Sequence, residues 1–324
     1  MDLSLFDPVM FIAAFGGGLF GAAIGALPAF IFTGVMVVAG EMLFIAGDLA
    51  AQIPGLSGAA VEAIETGSSA VTGLIAFGPF FGPHVAFGGG VAAAAFAAKK
   101  GMIDAGKDIL TAPTKAGVRS DFWQVLVVGG VFGVIGHLIH ATLAEIGTPT
   151  DTIAVGVWVS ALIARAALSP GKTGLLGKHD PSVAPSRLAL PADRAIAWLP
   201  FFSRIELLIL VGAAVGVLSG FASMITGSAV IGFGIAAFSL IFLETKGPMP
   251  VTHHIALPAS LATLAVLGGG MAPLGAVIVG GVFGVLGALV GELHARVFHN
   301  WGDTHIDSPA FAIFVLTTVV ILVL

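Results

Sequence analysis

The sequence predicts an all-α, polytopic integral membrane protein of about ten transmembrane helices, arranged as two five-helix repeats with broken helices. Three observations carry that expectation. Hydrophobic residues make up 57% of the 324 positions and charged residues only 10%, against roughly 25% charged in an ordinary soluble domain. Long apolar runs approach the ~20 residues that cross a hydrocarbon core. Finally, the chain repeats itself. VVGGVFGVIGHLI at 127–139 returns as IVGGVFGVLGALV at 278–290, with nine of thirteen positions identical.

Two weaker echoes keep the same order. HVAFGGGVAAAAF from His84 is matched by HIALPASLATLAV from His254, and the ladder Gly17, Gly21, Gly25 by Gly212, Gly216, Gly220. The chain therefore divides into a first transmembrane repeat at 1–168, an inter-repeat linker at 169–204 and a second repeat at 205–324. The absence of cysteine excludes disulfides, thiolate metal sites and cysteine nucleophiles.

The elements follow from the apolar runs. In the first repeat Val9–Leu27 and Ala29–Gly47 form a tight hairpin; a third crossing spans 68–98; Phe122–Leu143 and Ile153–Leu168 complete the five. The second repeat reads Leu207–Ile225, Ser228–Phe242, His254–Gly268, Leu274–Val297 and Ala310–Leu324. About 25 extra residues separate the glycine ladder from the histidine in the first repeat, and most of them fall in Asp48–Gly67.

Orientation follows from Lys and Arg. Lys99, Lys100, Lys107, Lys115 and Arg119 lie in one linker, and Lys172, Lys178, Arg187, Arg194 and Arg204 in another. Both linkers are expected on the cytoplasmic side, in a prokaryotic cytoplasmic membrane. Residues 1–66 carry six acids and no base, which places the N-terminus outside and gives it no basic signal-peptide region. An odd number of crossings per repeat then inverts the second relative to the first.

The third element of each repeat is predicted to break. GPFFGPH at 78–84 and ETKGPMPVTHH at 244–254 set prolines beside glycines, ending one helix and starting another. Irregular backbone at membrane depth is tolerated where protein or water covers it. Two helix N-termini near His84 and His254, flanked by Pro83, Thr252 and His253, are thus candidates for the lining of a solute path.

Ionisable groups inside a membrane are costly and so point to function. Glu41 is the mid-membrane acid and a further candidate for the solute path, with Asp48 seven residues on; together they are candidates for ion coupling. His137 and His140, at i,i+3, have a metal-compatible spacing without a second ligand pair. His299, Asp303, His305 and Asp307 form the richest polar cluster and a weak metal candidate. Asp307-Ser308-Pro309 also reads as an N-cap followed by an early-helix proline. Glu292 and Arg296 form an i,i+4 pair, Arg165 is expected to snorkel to the interface, and the amphipathic stretch Leu188–Phe202 is expected on the inner surface.

The leading expectation is a channel or secondary transporter for a small anion or neutral polar molecule, with no cofactor and no enzymatic activity. The alternatives are a proton- or cation-coupled carrier centred on Glu41, and an intramembrane metal enzyme. The expected partners are the bilayer and the solute, with homo-oligomers formed through glycine-rich helix faces; nothing points to nucleic acid.

Overall fold

Apolar runs with few breakers fold as helices, and the described chain is all-α. The computed structural model describes residues 4–110, 115–117, 119–189 and 200–324. Most of the predicted amphipathic stretch of the linker lies outside them. Helix α1 is Pro8–Ile24, α2 Ala26–Ala51 and α3 Gly58–Ser69, which continues as a π-helical segment Ala70–Ala76. A π turn Pro83–Phe87 leads into α4, Gly88–Lys99. Then come α5 Trp123–Glu145, α6 Thr152–Leu168, α7 Ile205–Thr226, α8 Ile231–Phe238 with a further turn Ile241–Glu244, and α9 His253–Gly268. Helix α10, Pro273–His294, runs on as a π segment Ala295–His299, and α11 is Ser308–Val323.

Among the described residues, four helical stretches are long and apolar enough to cross a membrane: Ala26–Ala51, Trp123–Glu145, Ile205–Thr226 and Pro273–His299. Their outer faces are apolar too, with Leu210, Leu218, Ile278 and Val282 exposed, as a surface in contact with lipid requires.

The duplicated segments fall on α5 and α10, and each packs in the same way. Gly18 of α1 meets Gly129 and Gly133 of α5; Gly216 of α7 meets Gly280 and Gly284 of α10. This contact corrects the register of the glycine echo. It pairs Ala14, Gly18 and Ala22 with Gly212, Gly216 and Gly220. Gly17 and Gly21 belong to the neighbouring stripe of α1, which faces Pro79 and Ala86. Small residues let these backbones approach closely, so the ladders are buried between helices of one chain.

Gly25 sits at φ 102°, a conformation open to glycine at little cost. It reverses the chain between α1 and α2 in a single residue, and the two helices then straddle the π turn and α4: Gly21 lies against Ala86, and Ala26 against Gly90. Helix α3 descends along α2, where Ser68 Oγ donates to Gly40 O at 3.0 Å. The chain breaks at 77–82, where Phe81 O accepts from Thr33 Oγ1 at 2.6 Å, and resumes as α4. The predicted break in the third element is therefore present, and the extra residues of the first half form the end of α2, the loop 52–57 and most of α3. In the second half the break is the loop 245–252, between the turn ending at Glu244 and α9.

Helices α6 and α11 pack antiparallel. Thr150 Oγ1 donates to Phe314 O at 3.0 Å beside the start of α6, Trp158 packs on Phe311 and Phe314 midway, and Arg165 reaches Thr304 near the end. Helices α2 and α8 pack antiparallel as well, Phe44 lying near Gly227, Val37 against Gly234 and Gly34 against Ala237 and Phe238.

Candidate functional site

Along the α6–α11 seam lies a cavity of about 530 Å³. Its walls come from both halves: Ala154 and Val157 of α6, Ala310 and Ile313 of α11, Phe30 of α2 and Leu257 of α9. Most of the lining is apolar. The polar points are few: Asp151, Asp307, His253, His299, His305, Thr317 and Lys107.

Asp151 and Asp307 stand at the two ends of the seam, because each precedes one of two antiparallel helices. Each is an N-cap. Asp151 Oδ1 accepts from Ala154 N at 2.8 Å and Asp307 Oδ2 from Ala310 N at 2.7 Å, satisfying N–H groups that a helix start leaves open. The surrounding sequences are TPTDTIA at 148–154 and THIDSPA at 304–310. They form a further echo, T-x-x-D-[T/S]-x-A, and self-comparison of the sequence could have found it.

The hydroxyl after each cap is also used alike. Thr152 Oγ1 lies 2.8 Å from His140 Nδ1, and Ser308 Oγ 3.0 Å from His294 Nδ1. Trp158 Nε1 donates to His294 Nε2 at 2.8 Å, so the remaining proton of that ring sits on Nδ1 and is donated to Ser308.

Sequence-predicted residues divide into those that face the cavity and those that do not. Pro83 and His253 line it, from the starts of the two resumed helices. His84 and His254, both fully buried, do not line it. Each lies against the duplicated helix of its own half: the His84 carbonyl meets Gly136, and that of His254 meets Gly287. Pro258 lacks the N–H that would bond the His254 carbonyl, and Gly287 lets α10 close over the gap. The His84 ring lies tilted against that of His140 at 4.7 Å and near-parallel to that of His137 at 6.0 Å. Thr252 is buried beside His253 without lining the cavity.

Glu41 is buried at the contact of α2 with the π segment after α3, where Thr72 Oγ1 donates to it at 3.0 Å. Asp48 is exposed about two turns further on. The structure does not bring these two acids together, and neither reaches the cavity.

The polar cluster before α11 divides. His305 Nε2 lies 3.2 Å from Asp307 Oδ1, and His299 Nδ1 3.1 Å from Ile306 O. Asp303 turns away and is bound by Ser169 Oγ at 2.7 Å, Gly171 N at 2.6 Å and Thr173 Oγ1 at 2.9 Å. Burial pushes this carboxyl up, but the hydrogen bonds from Ser169, Gly171 and Thr173 outweigh it and hold it below the usual range. Among the described residues no three His, Asp or Glu side chains are arranged to hold a metal ion.

Arg165 does not snorkel. It is 1% exposed, with Nε donating to Thr304 Oγ1 at 2.9 Å, Nη1 to Leu175 O at 2.9 Å and to Phe298 O, and Nη2 to Thr304 O at 2.5 Å. Carbonyls at the end of the α10 π segment lack intrahelical donors, and three cations supply them. Arg187 Nη1 donates to Val297 O at 3.0 Å, Arg165 to Phe298 O, and Lys107 Nζ to Asn300 O at 3.0 Å. Burial and the nearby Arg165 push the Lys107 ammonium down to about 8, against the pull of Asp303. The predicted Glu292–Arg296 pair is present at 2.7 Å.

Neither a curated protein nor a solved structure matches this chain. A family model matches it in two segments, residues 1–185 and 186–324, which meet inside the linker between α6 and α7. On that match the chain belongs to DUF7973, a family of unknown function.

Proposed function

We propose that the protein is a membrane channel or secondary transporter for a small solute, which passes through the seam cavity between two inverted five-crossing repeats. One observation carries this reading: the cavity follows the α6–α11 seam from Asp307 to Asp151, two residues that hold the same position in the two repeats. A solute site on the axis relating inverted repeats is the usual arrangement in secondary transporters.

Several contacts support the inversion. Equivalent helices pair antiparallel across the middle, α6 with α11 and α2 with α8. Counting α3 and α4 as one broken crossing gives five passes in each repeat, and the second set begins where the first ends. The two basic linkers then share one side, expected to be cytoplasmic. The Asp307 mouth opens toward that side and the Asp151 mouth away from it.

The chain has no cysteine, so single cysteines can be read without background. Ala310→Cys should react with a membrane-impermeant maleimide from the cytoplasmic side, Ala154→Cys from the outside and Ile313→Cys from at least one. Val282→Cys, on the outer face of α10, should stay unlabelled in the bilayer. Labelling of Ala154→Cys and Ala310→Cys from one side only, or of neither, would overturn the proposal.

A further inference from the structure

We infer that the molecule this cavity admits is a small organic monocation with an apolar body; the inference rests on the solute-path reading above. The walls supply the first argument. Phe30, Phe77, Phe87 and Phe233 all line the cavity and touch in sequence, with ring centroids 5.7 Å apart for Phe30–Phe87, 5.8 Å for Phe30–Phe233 and 5.6 Å for Phe77–Phe233. Aromatic faces attract cations, and more strongly where water is excluded.

Charge supplies the second. Two carboxylates, Asp151 and Asp307, reach the lining, and the cation there, Lys107, has its ammonium directed at the His299 and Asn300 carbonyls. A third argument is His253. Its ring is 6% exposed, lies 4.6 Å from that of Phe30, and leaves Nδ1 without a hydrogen-bond partner among the described residues. The part of the ring that lines the cavity adds a polar point beside the phenylalanines.

Other solutes fit less well. An inorganic anion would meet two acids and aromatic faces. A hydrated metal ion would shed water against phenylalanine, with no three-ligand group among the described residues to replace it. A purely apolar molecule would place no charge against the two carboxylates.

The test uses the full-length protein in detergent, titrated calorimetrically against detergent blanks with three molecules of one scaffold. Protonated phenethylamine is the cation, 2-phenylethanol the neutral analogue and phenylacetate the anion. The amine should bind saturably and roughly tenfold or more tighter than either of the others. Asp307→Asn and Asp151→Asn should each weaken the amine several-fold while leaving the alcohol unchanged, since asparagine preserves the caps. Equal or tighter binding of the alcohol or the carboxylate, or no saturable binding of the amine, would overturn the inference. The labelling of Ala154→Cys, Ile313→Cys and Ala310→Cys uses none of these molecules, so the path is judged separately from its occupant.

Discussion

Asp151 and Asp307 occupy the same place in the two halves of the chain, each capping the helix that follows and each lining the cavity between them. The cap ties fold to site. A carboxylate that satisfies backbone N–H groups at a helix start is held in place by the helix itself.

Removing either cap should therefore cost stability. Asp151→Ala and Asp307→Ala are each expected to lower unfolding free energy by about 0.5–2 kcal/mol, whereas asparagine, which also caps, should avoid most of that loss. Thermal unfolding of the purified protein in detergent measures this. An alanine variant as stable as the parent would show that the cap bonds contribute nothing net.

The glycines of the duplicated helices should differ sharply from glycines that face open space. A Cβ at Gly136 would collide with the His84 carbonyl, and one at Gly287 would lie 2.6 Å from that of His254. Gly16 meets nothing within 4 Å. Gly287→Ala is expected to cost about 1–3 kcal/mol through overpacking, and Gly136→Ala at least as much. Gly16→Ala should be neutral or stabilise by up to about 1 kcal/mol through helix propensity. Melting temperatures of the three variants decide the matter.

Asp303 should make stability depend on acid pH. Its folded pKa lies below its unfolded value, so its contribution is complete above the ordinary aspartate pKa of about 3.9 and is lost as pH falls through the folded value. The stability gap between the parent and Asp303→Asn should be flat above about pH 4 and shrink below it. A gap that stays constant into the acid range would contradict this assignment.

Much of the helical layout was legible in the residues. Apolar runs, basic linkers and the Val127–Ile139 echo are statements about composition and identity, and they match helices, linkers and α5 with α10. The proline–glycine breaks were legible for the same reason, since proline acts locally. What failed depends on which side chain faces which neighbour. The glycine echo was three residues out of register because α1 carries two parallel stripes of small residues, and only contact with α5 distinguishes them. His253 rather than His254 faces the cavity, a one-residue difference that helix rotation sets. Arg165 looked like an interfacial charge because its partners are backbone carbonyls distant in sequence, which carry no residue signature.

Those carbonyls also bear on how the protein is made. Lys107, Arg165 and Arg187 are translated before residues 297–300, whose oxygens they bind. Donors thus wait, already synthesised, for acceptors made 110 or more residues later. The closing of α10 onto them can follow only once the second half has been made, and it joins that half to the first half and the linker. A chain with the order of its halves exchanged would present the acceptors first, as bare carbonyls at a helix end, and would have to wait for its cations.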